Sequence, residues 1–428
     1  MPDSKTVGVV GLGYVGLPLA MAFARAGQNV IGVDHDPNRI RQLAHGESYI
    51  GDVAGAEVAL AVDSGRFVPS CEYQDLTSAE SVSICVPTPL SKSKDPDMTY
   101  VADAMTKVGD RLMRDQVIIL ESTVYPGATE EFVAPLLESR RGWRVGREFH
   151  LAFSPERIDP GNHKYALADI PKIIGGVTPA CTDHAVDIYG RVFSRTVRMK
   201  SAREAEMVKL LENTFRAVNI GLINELAMMA HDMKIDIWSV IHAAATKPFG
   251  YMPFYPGPGW GGHCIPVDPF YLTWRARQDG LEVGFIEQAG RVNERMPRYV
   301  VSRIQTTLNA SKKPLNGAHI LLLGVAYKKD VADLRESPAL SVIQQLDAAG
   351  AHVSYHDPWC PTVKQPSGMT LNSVELNPEL LSRQDCVVIL TDHSSVDYEQ
   401  VILNSFRVLD TRNATSRVEG DFDNVERI

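Results

Sequence analysis

Apolar and polar positions follow two rhythms along this chain. Residues 6–10 form a short apolar run ending in glycines, and residues 17–26 carry apolar side chains at helical spacing until Gly27 stops them. The pattern predicts a strand, a turn and a helix. Apolar runs at 30–33, 81–86, 117–120 and 149–153 continue the alternation. At 202–231 the rhythm changes: Leu, Ile, Val, Ala and Met recur at helical intervals with no proline, predicting one long helix. Residues 248–269 hold too much Gly and Pro for regular structure and too many apolar residues for a linker, the character of a functional loop. The first rhythm then returns, with strands expected at 319–324, 353–355 and 387–390 and a helix at 337–349.

Strands alternating with helices imply parallel, doubly wound sheets. The expected fold class is α/β: two Rossmann-like domains joined by a long central helix and a helical middle domain. The expected limits are 1–198 for a dinucleotide domain, 199–305 for the central domain and 306–428 for the closing domain. A length of 428 residues exceeds what one core usually supports, in keeping with this division.

Composition narrows the function. With 44% hydrophobic and 22% charged residues the chain is of ordinary globular type. Its net charge of −9, without a basic run, argues against nucleic-acid or anionic-membrane partners, so any phosphate site is local. Six scattered cysteines with no CxxC pair read as reduced thiols and offer no zinc set, so no metal is expected. No leader and no bilayer-length apolar stretch is visible; the expectation is a soluble, cytoplasmic protein.

Gly11-Leu12-Gly13-Tyr14-Val15-Gly16 fits GxGxxG, directly after a predicted strand and opening a predicted helix. Gly11 permits the turn, Gly13 lets the backbone approach a diphosphate, and Gly16 allows close helix-to-strand packing. Asp34 ends the next strand about 20 residues on, where a carboxylate accepts bonds from a ribose diol and repels a 2′-phosphate. The cofactor expected is therefore NAD, with FAD a minor alternative.

Cys264 lies in the glycine-rich loop, where backbone can come close to a substrate, although a cysteine is more often a small hydrophobe. Asp268 follows four residues later and would orient the thiol or a water; a loop cap is an equal reading. Lys209 and Asn213 are four apart and project from one helix face, a polar stripe that Arg216 extends. Glu121-Ser122-Thr123 and Ser154-Pro155-Glu156 each end a predicted strand, the edge where open sheets bind ligands. His263 adjoins the thiol, but neighbours on extended backbone point opposite ways, which disfavours a Cys–His pair.

Together these residues resemble the UDP-glucose/UDP-N-acetylhexosamine 6-dehydrogenase family over essentially the whole chain. The resemblance rests on Gly11 to Gly16, Val86-Pro87-Thr88-Pro89, Glu121-Ser122-Thr123, Ser154-Pro155-Glu156, Lys209 to Asn213, the loop from Pro256 to Cys264, Tyr327-Lys328-Lys329-Asp330 and Arg335-Glu336-Ser337. It implies four-electron oxidation of a sugar C6 alcohol to a carboxylate, with Cys264 as covalent nucleophile. Lys209 and Asn213 would stabilise the oxyanion, and Glu156 and Thr123, supported by Asp268, would handle the hydrolytic water. It implies NAD contacts from Gly11, Gly13, Tyr14, Val15, Gly16, Asp34, Arg39, Pro87, Thr88, Ser122, Thr123 and Arg335. It implies UDP-sugar contacts from Glu156, Arg157, Lys209, Asn213, Arg216, Phe254, Tyr255, Gly257, Gly259, Gly261 and Lys328. It further implies a UDP-binding closing domain, a homodimer built on the central helix, and a product destined for surface polysaccharide such as capsule or O-antigen. Pro160 and Lys247-Pro248-Phe249-Gly250 depart from the glucose-oxidising branch, and the stretch Ala243 to Trp274 looks most like the branch acting on UDP-N-acetylglucosamine. UDP-N-acetylmannosamine, UDP-N-acetylgalactosamine and UDP-glucose remain alternatives, and an inactive nucleotide-binding protein is a remote one.

Overall fold

The structure is a computed structural model that describes residues 5–91, 93–157, 166–262, 264–365 and 368–428. It divides into two units: Met1–Glu212 with Phe270–Leu281, and Asn213–Pro269 with Glu282–Ile428. The first is built on eight strands: β1 (Thr6–Val10), β2 (Asn29–Val33), β3 (Phe67–Ser70), β4 (Ser81–Ile84), β5 (Val117–Leu120), β6 (His150–Phe153), β7 (Lys172–Gly176) and β8 (Thr196–Arg198). Their order is β3-β2-β1-β4-β5-β6-β7-β8. The first six strands are the doubly wound order 3-2-1-4-5-6, with its reversal between β1 and β4. All pairs run parallel except β6 with β7, which are antiparallel with Ala152 opposite Gly176 and Phe153 opposite Gly175.

Near-continuous apolar strands suit a sheet covered on both faces. β4, β5 and β6 are buried along their whole length. Helix Gly16–Arg25 presses Leu17, Leu19, Ala20, Met21 and Phe23 onto the sheet, in one core with Val7, Val9, Val30 and Phe67.

The second unit carries β9 (His319–Leu323), β10 (His352–His356), a short antiparallel hairpin of β11 (Thr362–Lys364) and β12 (Thr370–Asn372), then β13 (Cys386–Ile389), β14 (Val408–Asp410) and β15 (Val425–Arg427). Its main sheet is parallel in the order β10-β9-β13-β14-β15, again doubly wound, with the reversal between β9 and β13. Helix Pro338–Ala348 and the C-terminal half of helix Gly284–Ala310 cover it through Ile304, Leu308, Val342, Ile343 and Leu346.

The two sheets repeat one device. Gly11 at φ +86° and Gly324 at φ +79° each turn the chain out of the first strand. Their amides donate to Val33 O and His356 O of the neighbouring strand. The next residues, Asp34 and Asp357, are buried and accept backbone N–H bonds from the turn: Leu12 to Asp34, and Val325 and Ala326 to Asp357.

Helix Ala202–Asp232 spans 31 residues and contains the boundary between the units. In the second unit it packs on helix Gly284–Ala310 at Gly221, where an added Cβ would stand 3.0 Å from Ala289. Asn224 Nδ2 donates to Asn293 Oδ1 at 2.9 Å beside that crossing. Among the described residues no helix is long and apolar enough to cross a membrane.

Candidate active site

The first unit offers a dinucleotide cradle at the β1/β4 reversal. A Cβ on Gly11 would meet Cys85 O at 2.7 Å and one on Gly16 would meet Gly11 O at 1.8 Å, so both glycines are fixed by packing. Gly13 is different: nothing lies within 4 Å of its would-be Cβ. Helix Gly16–Arg25 has no side-chain cap and no acid in its first turn. Its N-terminal amides and dipole therefore face the opening at Gly13, which suits the diphosphate of NAD. Asp34 braces this turn: its oxygens accept Leu12 N at 2.9 Å and Asp36 N at 3.0 Å, with Arg39 Nη1 at 3.4 Å. Tyr49 lies under the Arg39 guanidinium and donates to Leu12 O. Tyr14 is exposed and Val15 half-buried. Across the reversal, Ser122 donates to Val86 O at 2.7 Å, and Tyr271 donates to Thr88 O at 3.0 Å, so the chain after Pro87 is tied on both sides.

At the carboxyl edge of β5 and β6 the same unit buries a charged cluster. Lys172 Nζ donates to Glu121 Oε2 at 2.6 Å and lies 3.9 Å from Glu156 Oε2. Tyr189 donates to Glu121 Oε1, and Ser83 Oγ lies 3.1 Å from the phenol oxygen. Burial raises the Glu121 carboxyl against the pull of Lys172, and pushes the Tyr189 phenol and the Cys85 thiol well above their usual ranges. Thr123, half-buried, follows on the same edge. Arg157 donates to Glu212 at 2.6 Å and to Pro171 O at 2.8 Å, fixing the chain just after Glu156. Lys209 is 8% exposed, desolvated on a helix where lysines normally reach water.

The second unit holds the thiol loop. The loop ends as helix Asp268–Gln278 begins, and Asp268 N donates back to Cys264 O at 2.7 Å. Asp268 is 3% exposed and accepts from Asn213 Nδ2 at 2.6 Å, so the long helix and the thiol loop are joined by a buried bond. Cys264 is half-buried, whereas Cys85, Cys181, Cys360 and Cys386 are buried and inert in position. Burial takes the thiols of Cys360 and Cys386 up to about 12. His263 lies outside the described residues, as does Pro160.

Gly261 and Gly262 have a packing reason for lacking side chains, since a Cβ would come within 2.7 Å of Tyr327 Cβ and 2.8 Å of the Tyr327 ring. Gly262 N donates to Arg335 O, while the Arg335 side chain grips Asp333 at 2.7 Å. Gly257 N donates to Asn224 Oδ1, and a Cβ on Gly257 would stand 2.7 Å from Arg412 Nη1. Gly259, at φ +131°, adopts backbone that side chains avoid. Phe254 packs edge-on against Phe215, and Tyr255 stacks on Trp238. Arg216 is exposed and Lys328 half-buried.

Several groups in this region are not singled out by the spacing of the sequence. Arg412 donates to Leu390 O at 3.0 Å at the carboxyl edge of the second sheet, where burial lowers its affinity for the proton. A guanidinium beside the glycine loop can hold a diphosphate in two-point geometry. His393, fully buried, accepts Asp330 N at Nδ1 and donates from Nε2 to Asp357 at 3.1 Å, pinning the Lys328 segment to the sheet. Lys172, a lone cation opening an apolar run, was the one such group with a visible signal.

Three family models cover the chain: the NAD binding domain of the UDP-glucose/GDP-mannose dehydrogenase family matches residues 5–193, its central domain 203–295 and its UDP binding domain 321–417. A UDP-N-acetyl-D-glucosamine 6-dehydrogenase of Pseudomonas aeruginosa is 38% identical over 360 residues, 84% of each chain. An NDP-N-acetyl-D-galactosaminuronic acid dehydrogenase of Ralstonia solanacearum is 35% identical over 97% of this chain and 95% of its own. The solved structure of a UDP-D-ManNAc dehydrogenase from Pyrococcus horikoshii superposes with a TM-score of 0.89 at 32% identity over 99% of both chains. With an NAD cradle in one unit, a thiol loop joined to the spine helix in the other, and all three domain models matched in order, the chain belongs to the UDP-glucose/GDP-mannose dehydrogenase family.

Proposed function

We propose that this NAD-dependent UDP-sugar dehydrogenase oxidises the C6 alcohol of a UDP-N-acetylhexosamine, UDP-N-acetylglucosamine, to the uronate in two steps through Cys264, supplying a surface polysaccharide. The observation that carries the reading is the buried 2.6 Å bond from Asn213 to Asp268, which fixes an oxyanion donor to the loop that bears the thiol. Cys264 adds to the C6 aldehyde as a thiohemiacetal, so that no free aldehyde escapes, and retains the carbon as a thioester after the second oxidation. NAD, held at the turn from Gly11 to Gly16, would supply the hydride acceptor for each oxidation. Lys209 and Asn213, one helical turn apart, stabilise the oxygen that gains charge at C6. Glu156 and Thr123 position and deprotonate the water that hydrolyses the thioester, with Asp268 orienting Asn213. Arg412 and Lys328 meet the diphosphate end of the substrate. The exposed stripe Met207, Leu211, Phe215, Leu222, Met229 and Met233 along the long helix gives the homodimer its contact.

The P. aeruginosa relative supports the glucosamine epimer, as does Lys247-Pro248-Phe249-Gly250 in the thiol loop. The relatives named for mannosamine and galactosaminuronic acid keep those epimers as second readings. Side-by-side kcat/KM for UDP-GlcNAc, UDP-ManNAc, UDP-GalNAc and UDP-glucose tests the assignment. UDP-GlcNAc leads if it is right; a lead by any other sugar replaces it.

A further inference from the structure

The antiparallel pairing of β6 with β7 has a chemical consequence. In a parallel sheet the first residue of a strand lies at the amino edge, away from bound ligands. Because β7 runs against β6, its first residue instead reaches the carboxyl edge. The register pairs Phe153 with Gly175 and Ala152 with Gly176, and followed outward it sets Lys172 opposite Glu156. Among the described residues this is the sheet's one antiparallel pair, and it delivers a cation to the edge that carries Glu156.

The surroundings leave that cation little freedom. Lys172, Glu121 and Glu156 are 4%, 1% and 6% exposed. The ammonium donates to Glu121 Oε2 at 2.6 Å, lies 3.5 Å from Pro155 O and 3.9 Å from Glu156 Oε2, and is flanked by the rings of Tyr189 and Phe193 at 5.1 and 5.2 Å. The titratable neighbours are Glu121 from β5, Tyr189 from helix Pro179–Tyr189 and Cys85 from the end of β4; burial keeps the last two protonated and uncharged.

We propose that Lys172 is a positioning residue for Glu156, holding its carboxylate at the sheet edge, with Glu121 and Tyr189 anchoring the ammonium from behind. The close bond goes to Glu121 and the longer approach to Glu156, so the ammonium holds Glu156 at the sheet edge without closing a hydrogen bond to its Oε2. This rests on Glu156 acting as the acid/base partner in the proposed reaction.

The test is the pH profile of kcat for the full-length enzyme with UDP-GlcNAc and NAD. In Lys172→Met the acid limb moves up by about one unit or more, the range expected on losing an opposite charge within a few ångströms. KM for the sugar stays near wild type, and Lys172→Arg returns the limb toward its original position. Lys172→Met leaves Glu121 buried against an apolar chain, so Glu121→Gln provides an independent reading: removing the competing charge moves the limb down. Opposite displacements in the two variants support the inference. An acid limb unmoved in either variant, with kcat lowered evenly at all pH, overturns it. If Lys172→Met does not fold, the direction of the Glu121→Gln displacement decides alone. A limb that survives in Glu156→Gln rejects instead the underlying role of Glu156, and is distinguishable because it appears with Lys172 and Glu121 intact.

Discussion

Alanine at Gly13 and alanine at Gly16 should fail in opposite ways. At Gly16 the new methyl would sit 1.8 Å from Gly11 O and 3.2 Å from Cys85 Cβ, and the obstacle is backbone. The helix start would have to withdraw by more than about an ångström to restore contact distance, and overpacking of that kind costs about 1–3 kcal/mol or more. For a domain of this size each kcal/mol moves Tm by about 2–4 °C, so Gly16→Ala is expected to melt at least about 2 °C lower without ligand. At Gly13 nothing lies within 4 Å and φ is outside the left-handed region, so the free protein accepts alanine without strain. Its stability stays level or rises slightly, by about 0.4–1 kcal/mol, through a less flexible unfolded chain. The methyl instead enters the opening proposed for the NAD diphosphate, and KM for NAD should rise at least about tenfold, which is about 1.4 kcal/mol of binding. Thermal melts without ligand and NAD titrations at saturating UDP-sugar separate the two. A Gly13→Ala enzyme with wild-type KM for NAD, or a Gly16→Ala protein with wild-type Tm, would refute the reasoning.

Burial pushes the Asp357 carboxyl up, but bonds from His393 and from the Ala326 and Val325 amides outweigh it and bring it down to about 2. Since this lies below the unfolded value of about 3.9, its stabilisation is present above about pH 4 and is lost as pH falls toward 2. Asp357→Asn should therefore melt lower than wild type at pH 7, with the gap closing between pH 4 and 2; a gap constant with pH would exclude an ionised Asp357. Leu211→Arg with Leu222→Arg should convert the proposed homodimer to monomers by light scattering, and an unchanged mass would count against a contact on this helix. Cys264→Ser should abolish both uronate formation and the sugar adduct seen on the wild-type loop by acid-quenched mass spectrometry.

Much of the architecture was legible because apolar runs bounded by glycine mark buried parallel strands directly. The runs at 6–10 and 117–120 coincide with β1 and β5, and the long periodic stretch is helix Ala202–Asp232. Helix Gly284–Ala310 was not singled out: Pro297 lies inside it and charged residues interrupt its apolar face, so tertiary packing rather than pattern carries it. The same division holds at the site. GxGxxG and the thiol loop are contiguous and therefore readable. Lys172 stands out as a cation opening an apolar run, but its partners, like those of Arg412 and His393, lie far along the chain, and no local spacing encodes them. Asp34 was read for the ribose, yet its bond to Leu12 shows a structural task as well, visible only once β1 and β2 are paired.

The central claim is oxidation to the acid through Cys264, and the most direct measurement is the number of NADH formed per sugar consumed, with UDP-GlcNAc limiting and NAD in excess. The account predicts two NADH and one uronate for each UDP-GlcNAc. One NADH per sugar, with aldehyde released, would contradict it.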